Sequence, residues 1–443
     1  MSNVLEQATA AAQQGDWSLL NQCLQQLPLG DPDRESRFGK NATDGSGRSV
    51  SLSDRDLDQV LKLALDVLNA GDFQERWDVA KVIPKLGERA IAPLIEILQD
   101  DAADLELRWF AIRILSGFNH PSVIATLVDF LKTVEDEDLA AMASATLSSL
   151  GDGAIEALSS LLSEPESRLL ATKSLAQIRR PRVITPLLGV VSDSEVAVRV
   201  TALEALSSFH DPRIIPVLLE GLNDLAAAVR KEAVIGLGLR ADLGGELDLL
   251  AQLKPRLYDF NQDVCQQAAI ALGRLGTDEA ALVLFNVLMS PVTPVLLQID
   301  LIRALSWVGT AKTLDYLQEA LTITSVECVL EIVRVLGRVE KPELKAKAAQ
   351  ILLEFLNSQH PHASREVVKQ AIALSWGELK EVSAVEALVG LLADPAMSVR
   401  LHAIAALKNF PTAYQQLEQL ADEAQLAPAL KEGVAIALSE WQV

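Results

Sequence analysis

The chain is poor in cysteine, in aromatic side chains and in positive charge. Its three cysteines, Cys23, Cys265 and Cys328, stand far apart with no CxxC pair, which excludes a disulfide framework and a zinc knuckle and fits a reducing compartment. Only 19 of 443 residues are aromatic (10 Phe, 6 Trp, 3 Tyr), so the 49% hydrophobic content is mostly Leu, Ala, Val and Ile, the side chains of helix-on-helix packing. Lys and Arg number 39 against 60 Asp and Glu, a net charge of 39 − 60 = −21. That balance argues against nucleic acid as a partner and against docking on an anionic leaflet through a basic face. No apolar run reaches the roughly 18 residues of a bilayer span. The start, MSNVLEQATAAAQQGDW, has neither the basic nor the apolar segment of a secretory signal. A soluble, cytoplasmic protein with no transmembrane segment is expected.

What the chain does have is an internal repeat. The segments NHPSVIATL, RRPRVITPL and HDPRIIPVL place Pro121, Pro181 and Pro212 at spacings of 60 and 31. Upstream, Arg108, Arg168, Arg199 and Arg230 run at 60, 31 and 31, and the 60 step is two repeats. With each Arg as position 0, the shared apolar positions are 3, 7 and, except at Arg240, 10, as in Arg168-Ala171-Leu175-Ile178, which is one face of an α-helix. The template recurs at Arg76, Ala140, Cys265, Gln298, Val329, Arg400 and Lys431 and blurs around Gln370-Leu374-Gly377. About a dozen helical hairpins result, none of which buries both faces alone. The expected fold is all-α, an α-solenoid of stacked hairpins wound as a right-handed superhelix. Asp193, Asp224, Asp259 and Asp394 lie six residues before position 0. An Arg at position 0 is expected to reach the Asp of the neighbouring repeat and lock the stack in register. Residues 1–29, around Trp17, Leu20, Leu24 and Leu27, read as an N-terminal helical cap. Residues 30–53, rich in Gly, Ser, Asp and Arg, read as a flexible loop, and 54–443 as the solenoid.

Segments such as SDSEVAVRVTALEALSSFHDPRIIPVLLEGL and ADPAMSVRLHAIAALKNF resemble HEAT repeats, specifically the short HEAT-like repeat of the phycobilisome-lyase type. The resemblance runs over nearly the whole chain from about residue 54. It implies a protein-binding solenoid that handles a bilin, a phycobiliprotein subunit or both, by attachment, transfer or chaperoning. In such lyases the attacking cysteine belongs to the phycobiliprotein, so no nucleophile is needed. The alternative is a non-catalytic scaffold or assembly factor for a multiprotein, photosynthetic complex. If the chain is an enzyme, it is a bilin lyase, with a bilin as bound substrate and no required cofactor, at a cytoplasmic site peripheral to thylakoid or phycobilisome. Deoxyhypusine hydroxylase, another HEAT-like family, binds iron through His-Glu dipeptides. No His-Glu pair occurs among His120, His210, His360, His362 and His402, so no metal site is expected.

Catalytic signatures such as GxxxxGK[ST], HExxH and GxSxG are absent, and the catalytic residues stay unknown. Offsets 2, 5 and 9 of each second helix point away from the buried 0/3/7/10 face. Over residues 265–340 these offsets hold Arg274, Asp300, Arg303, Trp307, Glu331, Arg334 and Arg338. Four arginines and a Trp on one ridge form a candidate binding surface, since guanidinium forks suit carboxylates and an indole suits a π-system. A linear tetrapyrrole with two propionates fits, as does an acidic peptide. The competing reading is a solvated lattice in which Asp300 neutralises Arg303 and Glu331 neutralises Arg334. A secondary set comprises Trp77, Phe110, Arg113 and Lys173.

Overall fold

The computed structural model describes residues 2–29, 52–323, 325–423 and 425–441. Among them are 26 α-helices, five 3-10 helices and no strand, an all-α solenoid. Apart from Leu52 and Ser53, the loop expected over 30–53 lies outside the described residues. The chain forms two compact bodies, Met1–Phe209 and His210–Val443, a division within the run 54–443 that repeat periodicity does not mark.

The first body opens with α1 (Ser2–Gln14) and α2 (Trp17–Gln25), which pack on each other and on α3 (Asp54–Ala70). Helix α3 starts at a capping box in which Ser53 and Asp56 satisfy each other's backbone N–H groups. Then follow α4 (Phe73–Val79), α5 (Ile91–Gln99), α6 (Leu105–Leu115), α7 (Pro121–Thr133), α8 (Glu137–Leu150), α9 (Asp152–Leu161), α10 (Arg168–Gln177), α11 (Ile184–Leu188) and α12 (Val196–Ser207). Helices α6, α8, α10 and α12 stack in one layer, and α5, α7 and α9 in the other.

The second body continues the same way with α13 (Ile214–Gly221), α14 (Ala227–Gly238), α15 (Leu249–Leu253), α16 (Gln262–Leu275), α17 (Asp278–Leu288), α18 (Val295–Val308) and α19 (Ala311–Ala320). It ends with α20 (Val326–Gly337), α21 (Pro342–Leu356), α22 (Glu366–Leu379), α23 (Val385–Leu391), α24 (Met397–Leu407), α25 (Ala413–Ala421) and α26 (Pro428–Trp441). The even-numbered helices α14 to α26 form the second-helix layer, each packed on the next.

The 3.6-residue periodicity dictates what the second helices of each body bury. Ala171, Leu175, Ala202, Leu206, Leu301, Leu305, Ala403 and Leu407 are all 0% exposed. The blurred repeat obeys the template in a different register, Lys369-Ile372-Trp376-Leu379, with Ile372 and Trp376 at 0% and Leu379 at 1% exposed. Lysine replaces arginine there and tryptophan replaces leucine, and the Trp376 indole N–H donates to Ala349 O at 3.2 Å. Close approach sets the spacing of neighbours: a Cβ on Gly273 would stand 2.9 Å from Ala304 O, so only glycine lets α16 meet α18.

Charge rungs bind successive repeats. Arg168 reaches Asp193 at 2.7 Å, Arg230 reaches Asp259 at 2.7 Å and Lys369 reaches Asp394 at 2.6 Å. Each cation also hangs on a core helix, which removes it from solvent: Arg230 and Asp259 side chains are 14% and 6% exposed. Hydrogen bonds from Arg230, more than any other influence, hold the Asp259 carboxyl below the usual carboxylate range. Cys265 and Cys328 sit at or beside position 0 instead, buried, and burial pushes both thiols up. Cys23 is buried as well, so all three thiols are free and inside the fold.

Candidate functional site

The ridge residues lie in the second body on α16, α18 and α20, and the structure separates them into two groups. Arg303 is committed: its Nε donates to Glu331 Oε1 at 2.6 Å, and its guanidinium is 3.7 Å from Asp300. That hydrogen bond raises the Arg303 pKa above its ordinary value. Arg334 stands 3.7 Å from the other oxygen of Glu331. Gln266 donates to Asp300 at 3.1 Å, so a chain of polar contacts runs across three stacked helices. Glu331 is its centre, with a side chain 8% exposed between two arginines that are 49% and 55% exposed. Arg303 and Arg334 are thus both paired with Glu331.

Trp307 and Arg338 are the residues left over. Trp307 is 54% exposed near the C-terminus of α18. Arg338 follows the last turn of α20, where its charge complements the carbonyl end of the helix, and no ion-pair partner for it occurs among the described residues. Together with Arg303, Glu331 and Lys341 they line a cleft of about 470 Å³ whose apolar wall includes Leu314, Leu317 and Val335. Two arginines and one lysine meet two glutamates, Glu331 and Glu340, an exposed indole and an apolar wall there, and the cations not spent on Glu331 are able to hold an anionic group carried on a flat apolar body. Lys341 closes one end by donating its Nζ to Gly309 O at 2.6 Å, at the left-handed turn (φ 59°) that ends α18. Arg274 is exposed on α16 and does not line the cleft. Periodicity could not find Lys341, which lies in the turn after α20, outside any helical template.

The secondary set is rearranged. Phe110 is 0% exposed and cannot meet a ligand from solvent. It is the support beneath Phe73, Trp77 and Trp109, with ring centroids 5.4, 6.5 and 5.1 Å away. Offset counting placed Phe110 outward, but the short helix α4 folds its own aromatic side chains over it. Arg113 is exposed and its guanidinium carbon lies 4.2 Å from the Trp77 ring centre and 5.5 Å from that of Trp109. Lys173 is exposed on α10, apart from this cluster. Trp109, at the same offset as Trp77, joins the cluster although it is not in the secondary set.

Among the described residues, no group of three or more His, Cys, Asp or Glu could hold a metal ion, and no helix is long and apolar enough to cross a membrane. The His360 and His362 rings stand 5.3 Å apart in the turn after α21, and burial lowers the His360 pKa.

A family model described as HEAT repeats matches residues 91–169 and 155–238. No curated protein matches the chain. Human deoxyhypusine hydroxylase in complex with glycerol is similar at 21% identity, covering 58% of this chain and 95% of that one, with a TM-score of 0.27. The CpcE–CpcF complex of phycocyanin lyase from Nostoc sp. PCC7120 is similar at 15% identity, over 58% of this chain and 94% of that one, with a TM-score of 0.31. A chain from the structure of Kap95p with RanGDP is similar at 13% identity over 88% of this chain, with a TM-score of 0.50, and this chain spans 60% of its length. At such identities the likeness concerns fold alone: the chain is an all-α solenoid in which HEAT repeats are matched over residues 91–238.

Proposed function

We propose that the chain is a protein-binding HEAT solenoid of the phycobilisome-lyase type, working in the cytoplasm beside thylakoid or phycobilisome. It handles a bilin, a phycobiliprotein subunit or both, and it needs no cofactor of its own. The observation that carries this reading is the cleft lined by an exposed Trp307, by Arg338, which has no ion-pair partner among the described residues, and by Lys341 and the half-exposed Arg303. A linear tetrapyrrole matches it group for group: propionates on the guanidinium and ammonium, and the conjugated body against the indole and the apolar wall. Titration of the purified protein with phycocyanobilin tests this by absorbance. A red-shifted, saturable spectrum is expected, with affinity reduced about tenfold or more in Arg338→Ala. An unchanged spectrum, or one indifferent to Arg338→Ala and Trp307→Ala, removes the bilin from the reading.

A second reading, a non-catalytic assembly factor, is favoured by a different observation. Leu225, Phe260 and Val292 stand at the turns entering α14, α16 and α18 and are 99%, 107% and 85% exposed. Three apolar tips at successive turns suit a protein partner. Co-purification from the native host should then yield a defined partner that Leu225→Ser/Phe260→Ser loses while phycocyanobilin titration is unaffected.

A further inference from the structure

The first body carries a second place of unspent positive charge. Trp77 and Trp109 each follow position 0 by one residue, after Arg76 and Arg108, so successive repeats present an indole at the same point. Arg113 lies over both, 4.2 Å from the first ring centre and 5.5 Å from the second. Its neighbours' carboxylates are already engaged. Asp78 binds Lys81 at 2.9 Å, while Asp104 and Glu106 bind Arg76 at 3.1 and 2.9 Å. Arg113 has no carboxylate partner among the described residues, although the chain carries a net charge of −21.

A guanidinium laid on ring faces keeps its in-plane N–H groups directed away from the rings, in the fork that matches a carboxylate. The rings cannot yield easily, because both rest on the fully buried Phe110. Phe73, 52% exposed and stacked at 6.1 Å on Trp77, extends the apolar surface beyond the cation. Arg113, Trp77, Lys81, Pro84 and Ser116 line a depression of about 320 Å³. A bare oxyanion would use the cation and leave the indoles and Phe73 idle. An acidic side chain flanked by apolar ones uses all of them.

We propose that Trp77, Trp109 and Arg113 form a docking site for an acidic, apolar-flanked peptide segment of a partner protein, with the carboxylate on Arg113 and its neighbours on the aromatic surface. The site shares no residue with the Trp307–Arg338 cleft and stands or falls separately from it.

The test follows the indole N–H signals of the full, nitrogen-15-labelled chain. The chain has six Trp, and Trp→Phe variants assign them. The probe is an acetylated, amidated hexapeptide of alternating glutamate and leucine, compared with its glutamine counterpart and with inorganic phosphate. The glutamate peptide is expected to shift the Trp77 and Trp109 signals saturably. Affinity should fall about tenfold or more in Arg113→Met and by a smaller factor in Arg113→Lys, which keeps the charge and loses the fork. The glutamine peptide and phosphate are expected to move neither signal. Equal binding of the glutamine peptide, equal shifts with phosphate, or indoles indifferent to the glutamate peptide would each overturn the proposal. Arg113 is exposed, and an unchanged Trp17 signal in Arg113→Met, from the same compact body, verifies that the fold is kept.

Discussion

Arg168, Arg230 and Lys369 spend their charge inside the stack, whereas the repeats at Cys265, Gln298 and Val329 place no cation at that position. In those three repeats the arginines sit instead on the open face, at Arg274, Arg303, Arg334 and Arg338. Stacking does not depend on the rungs. Where they lapse, small-residue contacts such as Gly273 on Ala304 and a buried face such as Leu301, Leu305 and Val308 hold neighbours together. A repeat that can do without its rung is free to carry positive charge outward, and there the cleft is found.

The largest effect should come from breaking a rung. Asp259→Ala strands Arg230 in a nearly buried place, and a loss of about 3 kcal/mol is expected in urea unfolding, since one charge of a buried pair remains uncompensated. The double variant Arg230→Met/Asp259→Ala should recover much of it. A loss as large in the double variant would mean that packing, not the pair, was damaged. The same rung sets an acid limit. Because the folded carboxyl titrates below the unfolded one, its contribution is complete above about pH 4 and is lost as pH falls through the folded value. The stability gap between wild type and Asp259→Ala should accordingly shrink below that pH.

Next comes the hub on the open face. Glu331→Gln removes the carboxylate shared by Arg303 and Arg334, and a loss of about 2 kcal/mol is expected. It should also free Arg303 and tighten phycocyanobilin binding severalfold. Weaker binding would show that Glu331 shapes the cleft rather than neutralising it. The smallest stability effect belongs to Arg338→Ala, within about 0.5 kcal/mol of wild type, because its charge meets only the exposed carbonyl end of α20. A thermal shift beyond that range would return Arg338 to the structural lattice and end the contrast between the two regions.

Helical periodicity makes most of the fold legible, because residues at positions 3 and 7 are buried in nearly every repeat. It faltered at Lys369 for a chemical reason: lysine and tryptophan serve where arginine and leucine usually stand, and the turn 357–365 shifts the count. The site was legible only in part. Residue spacing places Arg303 and Trp307 on one face, but the partner of Arg303 is 28 positions away, on the next repeat. Lys341 acts from a turn, and Phe110 points outward by count yet is covered by Phe73 and Trp77. Contacts between repeats depend on rise and rotation along the stack, which a one-helix pattern does not contain.

Because Cys23, Cys265 and Cys328 are all shut inside the helix layers, the outer surface is silent toward thiol reagents. A single cysteine placed beside the cleft, for example Ser306→Cys, or beside the aromatic cluster, for example Ser116→Cys, would react first and alone. Either position would take a spectroscopic label with no native cysteine removed.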